Sequence, residues 1–362
     1  MQLDTPSSTL KTELIPLELQ DILRVSHEPL RQFSDFEVHQ LLCADLYAYL
    51  NYLDQGLREI GLGAAQISMP PKQLFQQPGE LGDFRVMPCV RATAAGKLHK
   101  TIKLVGTNRI GRLVPDQISV GKACYLDPQE NFVSHQFDAC LLSSIRTGAC
   151  AALATRHLQT ADRPIRTVTV VGAGRVGFYA AMCLLNNGEI DTLTIVDHLP
   201  ERAVTLAAGL QRIAPDCQIT TTEYADLSNC DLLLLATSSN TAIYHPDHFS
   251  AQIIITLGAD CIEQRELHDH PQWHSRAIYV DTLDSLRFGD LAAWTAESEF
   301  DSRRLIEITH LAANHTRPPD YPALFIATGS ALFDNLTMSY LVEITTETGP
   351  VAPPAETALG TD

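Results

Sequence analysis

The stretch Thr167-Val-Thr-Val-Val-Gly-Ala-Gly-Arg-Val-Gly-Phe-Tyr-Ala-Ala181 decides the fold of this chain. It predicts a buried strand, a Gly-x-Gly-x-x-Gly turn and the first turns of a helix in one continuous segment. Such a turn lets backbone N–H groups approach a pyrophosphate, and the N-terminus of the following helix favours negative charge. We therefore predict a dinucleotide site here. Its predicted contacts are Gly172, Gly174, Arg175, Val176 and Gly177.

An acidic residue follows the next predicted strand. Leu193-Thr-Ile-Val196 ends in Asp197, roughly twenty residues past the turn, as in dinucleotide-binding folds. An acid at this place accepts hydrogen bonds from ribose hydroxyls and repels a 2′-phosphate. The predicted cofactor is therefore NAD rather than NADP. The alternative is a tight strand–helix turn that binds no ligand.

From residue 166 onward the sequence alternates between strands and helices, which predicts a doubly wound parallel sheet. Strands are predicted at 167–171, 192–197, 217–222, 231–236, 252–257 and 277–281. Helices are predicted between several of them, notably at 175–187 and 200–213. Within the strand at 231–236, every residue after Asp231 is apolar, which is typical of a central strand covered on both faces. Thr237 and Ser238 follow it, where a nicotinamide ribose would pass.

The flanking parts of the chain have other patterns. Apolar residues at helical spacing predict one long amphipathic helix over 36–60. Short apolar stretches separated by Gly, Pro and Asn predict antiparallel strands at 85–90, 101–105 and 117–126. Further helices are predicted at 141–158 (opening at Ser143 or Ser144), 303–316 and 329–345.

The predicted fold class is α/β: a Rossmann domain with a doubly wound parallel sheet, plus a β-rich α+β domain for substrate binding and dimerisation. A chain of 362 residues is long enough for two such domains. The Rossmann NAD-binding domain is predicted at 146–309, and the other domain at 1–145 and 310–350. Residues 351–362 contain Pro353 and Pro354 and little bulk, and we expect a mobile tail there.

Charge and composition exclude several classes of function. The net charge of −17 argues against nucleic acid or an anionic membrane surface as partner. No apolar run reaches about 18 residues, so no membrane span is expected. Residues 1–8 lack the basic and apolar regions of a signal peptide, and a cytoplasmic location is predicted. The 9 cysteines form no Cys-x-x-Cys pair, which favours reduced thiols and no metal site.

Four separated motifs, and a fifth match near the C-terminus, point to one family. They are Arg85-Val-Met-Pro88 followed by Lys103, Leu142-Ser-Ser-Ile-Arg-Thr-Gly-Ala149, the glycine turn, Leu257-Gly-Ala-Asp-Cys-Ile-Glu-Gln-Arg-Glu-Leu267, and Phe325-x-x-x-Gly329 with Asp334. The motifs occur in this order along the chain, and the nucleotide domain is the second of the two domains. In both respects the chain resembles the ornithine cyclodeaminase/μ-crystallin family from about residue 60 to 345. The resemblance implies a homodimer paired through the first domain.

An enzyme that uses nicotinamide on an α-amino acid must hold the carboxylate and manage the amine protons. The candidate carboxylate ligands are the cations Lys72, Arg85, Lys103 and Arg146. By the resemblance, Lys72, Lys103 and Arg146 match the family's carboxylate clamp, with Lys72 in place of an arginine. The resemblance also gives Asp260 the acid–base role, with Lys103 as the other catalytic candidate. Two alternatives stay open: Lys100 in place of Lys103, and Asp260 as a helix N-cap.

The leading hypothesis is an NAD-dependent oxidoreductase acting at the Cα–N bond of an L-amino acid or its imine. The alternatives are an ornithine cyclodeaminase, which yields proline and ammonia, and a μ-crystallin-like protein that binds NAD(P)H and a ligand. Arg85 stands where ornithine-specific members carry a glutamate, and an arginine would repel a cationic substrate tail. It suits a neutral substrate or one with a second carboxylate. The sequence does not identify the amino acid.

Overall fold

The computed structural model of the chain describes residues 28–77, 79, 82–108, 119–258, 260–297, 300–314 and 321–347. The predicted tail at 351–362 and the N-terminal residues 1–8 lie outside the described residues, as does the start of the strand predicted at 117–126. Among the described residues, no helix has the length and apolar character needed to cross a membrane.

The first domain is built on a seven-stranded sheet. Its elements are β1 (Arg31–Phe33), α1 (Asp35–Ala44), α2 (Leu46–Gly61), β2 (Gln66–Ser68), β3 (Gln73–Phe75), β4 (Gly82–Ala92), β5 (Leu98–Asn108), β6 (Ser119–Leu126) and β7 (Val133–Asp138). The strand order is β1-β7-β6-β5-β4-β2, with β3 also paired to β4. All pairs are antiparallel except β1–β7.

The single helix predicted over 36–60 is wrong: the structure has two helices that meet at Asp45. The Asp45 carboxylate accepts a hydrogen bond from Ala48 N at 2.9 Å and caps α2. The backbone of Asp45 leaves the helical region, with φ −145° and ψ 81°. Apolar residues continue at helical spacing across this break, so the periodicity alone conceals it.

The second sheet has eight parallel strands. Its elements, with the helices around it, are α3 (Ala139–Leu158), β8 (Thr167–Val171), α4 (Arg175–Asn187), β9 (Thr192–Val196), α5 (Pro200–Ile213), β10 (Gln218–Thr221), β11 (Cys230–Leu235), β12 (Ala251–Thr256), α6 (Pro271–His274), β13 (Ile278–Val280), α7 (Gly289–Glu297), β14 (Leu305–Glu307), α8 (Ile308–Asn314), β15 (Ala323–Ile326) and α9 (Ala331–Glu347). The strand order is β10-β9-β8-β11-β12-β15-β13-β14. From β8, the chain adds β9 and β10 on one side and then crosses over to add β11 and β12 on the other side. Ligands bind at such a switch point, between β8 and β11, in folds of this kind. The predicted fold class is confirmed.

The C-terminal segment serves both sheets. The helix predicted over 303–316 begins only at Ile308, because residues 305–307 pair with β13 as an edge strand. β15 then enters the parallel sheet between β12 and β13. α9 packs against β4 and β5, where Asn335 Nδ2 donates to His99 O at 3.2 Å. The range 310–350 therefore contains a strand of the parallel sheet, and the domain division otherwise stays a prediction.

Two helices approach closely beneath the glycine turn. α3 starts at Ala139, before the predicted opening at Ser143 or Ser144, and it packs along α4. A Cβ at Gly148 would lie 2.5 Å from the backbone carbon of Tyr179, so only glycine permits this contact. Arg146 lies two residues before Gly148 on α3 and lines the cleft that holds the glycine turn.

Candidate active site

A cleft of about 1920 Å³ opens beside the carboxyl ends of β8, β9, β11 and β12. Of the predicted dinucleotide contacts, all but Gly177 line it. Ser143, Ser144, Arg146 and Thr147 of α3 form part of the lining, as does Asp260. The cleft therefore brings the predicted cofactor residues and two of the predicted substrate residues to one space.

The three glycines of the turn are required for different reasons. Gly172 has φ +108°, and a Cβ there would lie 2.3 Å from Ala236 O. A Cβ at Gly177 would lie 1.9 Å from Gly172 O, so this glycine lets helix and turn pack. A Cβ at Gly174 would meet no described atom within 4 Å. Gly174 caps α4 with extended backbone, and the space in front of it is open for a ligand.

Asp197 is fixed at the edge of the cleft by backbone donors. Its Oδ2 accepts from Ala173 N at 2.6 Å, and its Oδ1 accepts from Leu199 N at 2.9 Å. The side chain is only 7% exposed. These bonds tie the glycine turn to the loop after β9 and hold the carboxylate in one orientation. The ribose contact assigned to Asp197 stays a prediction.

Arg146 and Lys103 share one buried carboxylate. Asp334 of α9 accepts from Arg146 Nε at 3.0 Å and from Lys103 Nζ at 2.7 Å. The Nη1 and Nη2 atoms of Arg146 make no hydrogen bond to any described residue, and they lie beside Gly329, where a Cβ would be 3.3 Å from Nη2. Two parallel N–H groups are thus free to bind a carboxylate in bidentate geometry.

The register of the first sheet distinguishes Lys103 from Lys100. Side chains alternate between the faces of a strand, so residues three apart point to opposite faces. Lys103 faces α9 and is buried, whereas Lys100 Nζ donates to Pro128 O and Asn131 Oδ1 in a turn. Burial lowers the pKa of Lys103 to about 7, although Asp334 opposes the shift. Lys103 is therefore the lysine that lies beside Arg146.

Lys72 reaches the same region from the loop before β3. Its Nζ donates to Thr328 O at 2.8 Å and lies 3.8 Å from the centre of the Phe288 ring, a cation–π contact. Burial, together with the charge of Arg85, lowers the pKa of Lys72 to about 8. The residue is buried and is not a surface charge.

Arg85 binds two carboxylates of the protein itself. Nε and Nη2 donate to Asp83 at 2.7 and 3.0 Å, and Nη1 donates to Asp260 Oδ2 at 2.7 Å. The guanidinium is 5% exposed. The Arg85 charge is thus paired within the protein, and the substrate contact assigned to Arg85 stays a prediction. Its charge is compensated within the site, and it joins β4 to the loop after β12.

Asp260 combines access to the cleft with a stabilised negative charge. Its side chain is 41% exposed. Burial opposes its ionisation, but the charges of Arg85 and Lys72 outweigh that effect and hold the pKa of the carboxyl below its ordinary value. Residues 261–270, which directly follow Asp260, form no helix, so the N-cap alternative does not apply. The group is a carboxylate at neutral pH, suited to accept a proton.

Comparison with known proteins identifies the family. The sequence profile of the ornithine cyclodeaminase/mu-crystallin family matches residues 30–303. The chain belongs to this family. The predicted resemblance is thereby confirmed. The chain is also 25% identical, over 319 residues, to the L-lysine cyclodeaminase of Streptomyces rapamycinicus, covering 82% of this chain and 88% of the relative.

Solved structures of other proteins share the fold. An archaeal alanine dehydrogenase dimer with bound NAD superposes with a TM-score of 0.75 at 20% identity, covering 88% of this chain and 96% of that one. The Δ1-pyrroline-2-carboxylate reductase of Thermococcus litoralis, in complex with NADH and L-proline, also gives 0.75, at 17% identity and 88% and 98% coverage. At these identities the likeness concerns the fold.

The sequence did not reveal three carboxylates that support the site, of which Asp281 and Glu266 are buried and Asp83 is partly buried. Asp83 lies two residues before Arg85 on the same strand face, and that spacing is the one local signal of the pair. Asp281 follows β13 and accepts from Gly329 N at 2.8 Å, which fixes the loop beside Arg146. Glu266 stands in the Glu-Leu motif, but the sequence says nothing of its partners. All three act on the position of a predicted site residue.

Proposed function

We propose that this chain is an NAD-dependent oxidoreductase that acts at the Cα–N bond of an L-amino acid or its imine. One observation carries the proposal: the glycine turn, the free Nη atoms of Arg146 and the Asp260 carboxylate all line one cleft. A dinucleotide site beside a carboxylate clamp and a proton acceptor is what amino-acid redox chemistry requires.

The residues present fit NAD. The open space in front of Gly174 and the N-terminus of α4 suit a pyrophosphate, and the Asp197 carboxylate suits an unphosphorylated ribose. Thr237 and Ser238, after β11, are the proposed contacts on the nicotinamide side. NAD, when bound, would supply the hydride acceptor. The two solved structures of this fold with bound NAD or NADH support this assignment.

The protein's own groups would bind and orient the amino acid. Arg146 holds the α-carboxylate through Nη1 and Nη2, which directs Cα toward the cofactor side of the cleft. Asp260 accepts a proton from the amine as the imine forms, or returns it in the reverse direction. Lys103, through Asp334, keeps the clamp in place, and its low pKa lets it exchange a proton near neutral pH. Lys72 adds positive charge beside Asp260.

A second candidate is a cyclodeaminase, which would act on a diamino acid such as ornithine. The observation that favours it is the pairing of Arg85 with both Asp83 and Asp260. Because two carboxylates compensate its charge, Arg85 repels a cationic substrate tail less strongly than an unpaired arginine would. The relationship to L-lysine cyclodeaminase supports this candidate as well.

A single assay separates the candidates. The full-length protein is incubated with NAD and a panel of neutral, acidic and diamino L-amino acids, and absorbance at 340 nm is recorded. We expect net NADH with at least one neutral or acidic amino acid, and NADH oxidation with the matching imine. A cyclic amino acid and ammonia without net NADH would instead support the cyclodeaminase. Tight NADH binding with neither reaction would contradict both and favour a binding protein.

We also propose a homodimer that forms through the outer face of the first sheet. Phe75 and Phe84 stack there with ring centres 4.7 Å apart, and they are 45% and 53% exposed. Leu104 and Val120 on neighbouring strands are exposed as well, and an apolar patch of this kind marks an interaction surface. The dimeric archaeal alanine dehydrogenase supports the proposal. A cytoplasmic location stays a prediction from the sequence.

Phe84→Glu is expected to dissociate this dimer, because it places a charge at the centre of the apolar patch. Light scattering should show the mass fall from two chains to one. Ile213→Glu, at the end of α5, also charges an exposed apolar residue and serves as the matched control. A wild-type monomer, or a dimer that survives Phe84→Glu, would contradict the proposed face.

A further inference from the structure

The loops that follow β11 and β12 carry the residues assigned to the nicotinamide side of the cleft. Thr237 lies in the first loop, and Gly258 and Asp260 lie in the second. β11 and β12 are paired in parallel, so the two loops leave the same edge of the sheet side by side. The position of one loop relative to the other sets the wall of the cleft at this end.

A single buried side chain joins these loops. Glu266 Oε1 accepts from Thr237 N at 2.7 Å and from Thr237 Oγ1 at 2.9 Å. Its Oε2 accepts from Gly258 N at 2.9 Å. The residue has no exposed surface. Both oxygens of one carboxylate are therefore used, one on each loop.

The two loops approach each other closely at this junction. A Cβ at Gly258 would lie 1.9 Å from Thr237 O and 2.5 Å from Glu266 Oε1, so glycine is required where the loops meet. Behind Glu266, Asp290 Oδ1 accepts from Glu266 N at 3.1 Å and from Leu267 N at 3.2 Å. The segment that carries Glu266 is thus held from its other side by a second buried carboxylate.

Glu266 and Asp290 are two buried carboxylates, and Asp290 binds the backbone N–H of Glu266. Burying two such groups near each other does not by itself favour folding. Burial raises the pKa of Glu266 to about 7 and that of Asp290 to about 6, which means that the fold opposes their ionisation. Groups retained at such a cost are concentrated at functional sites.

We propose that Glu266 is a positioning residue for the nicotinamide half of the cofactor, acting through Thr237 and Gly258. The inference rests on the proposed function, which supplies NAD as the cofactor. β11 and β12 lie on one side of the glycine turn, and β9 with Asp197 lies on the other. A dinucleotide lies across the point between β8 and β11 where the strand order switches. The two loops joined by Glu266 therefore contact the nicotinamide half, and Asp197 contacts the adenosine half.

Calorimetric titration with two probes tests the assignment. NADH contains both halves of the cofactor, whereas ADP lacks nicotinamide and its ribose. In Glu266→Gln, the amide NH2 must face a backbone N–H in either orientation, so one of the hydrogen bonds to the loops is lost. We expect the Kd for NADH to rise about tenfold, from the loss of one charge-assisted hydrogen bond. The Kd for ADP should stay within about twofold, because its contacts lie at the glycine turn and Asp197.

Each outcome has a distinct meaning. Equal weakening of NADH and ADP, or no weakening of NADH, would overturn the role of Glu266. A wild-type protein that binds neither probe would instead refute the proposed function, and the inference with it. Glu307→Gln is the matched control, since Glu307 also accepts a backbone N–H (from Leu283) but lies on the edge strand β14. If Glu266→Gln does not fold, Glu266→Asp keeps the charge but shortens the side chain, so that it no longer reaches both loops and should show the same selectivity.

Discussion

Asp260→Asn is expected to lower kcat by about 10²- to 10⁴-fold, the usual contribution of a positioned general acid or base. The Asn Oδ1 can still accept from Arg85 Nη1, so the geometry of the loop should persist. What the variant loses is the ability to accept a proton from the substrate amine. Because the amide keeps the size of the carboxylate and its contact with Arg85, the Kd for NADH should stay within about twofold of wild type.

The control for this variant is Asp83→Asn, which removes the other carboxylate partner of Arg85 and leaves Asp260 in place. If Asp260 acts by proton transfer, Asp83→Asn should lower kcat far less than Asp260→Asn does. Equal losses in the two variants would show that the ion pair with Arg85, and not proton transfer, accounts for the effect. Undiminished turnover in Asp260→Asn would exclude Asp260 as the acid–base group. The substrate is the one that the amino-acid panel identifies.

Much of the parallel sheet could be predicted because its signals are local. α4 and α5 have the predicted bounds, and the strands of the parallel sheet differ from prediction by a residue or so at their ends. A buried parallel strand is a short apolar run, and the glycine turn marks where the first one ends. The edge strand β14 was missed because its identity depends on pairing with β13, which the local sequence does not record.

The composition of the site could be predicted, but its pairings could not. Lys103 and Arg146 were recognised as inward cations, and the structure brings both to Asp334. Arg85 was assigned from its charge alone, without its partners. Asp260 lies 175 residues along the chain from Arg85, and no sequence spacing reveals that contact. Glu266 shows the same limit, since a buried carboxylate and a surface one look alike in a sequence.

Gly174→Ala is expected to weaken NADH binding about 100-fold and to leave the protein's stability unchanged. The added Cβ meets no described atom within 4 Å, and the backbone of Gly174, with φ −87° and ψ −172°, is ordinary for alanine. The methyl group would occupy the space in front of the turn, where a pyrophosphate must approach backbone N–H groups. Two charge-assisted hydrogen bonds of about 1.5 kcal/mol each account for the 100-fold loss.

Fluorescence titration with NADH and thermal unfolding together check this prediction, and two other glycines make the result specific. Gly188→Ala adds a methyl at the other end of α4, with only an ordinary contact to Leu184 O at 3.8 Å, and should change neither measurement. Gly177→Ala forces a methyl to within 1.9 Å of Gly172 O, so it should lower Tm as well as affinity. Gly174→Ala should therefore be the variant that separates affinity from stability, with Tm within about 2 °C of wild type. If Gly174→Ala binds NADH normally, the open space at Gly174 is not the pyrophosphate site. The glycine turn would then serve only to let the strand and the helix pack closely.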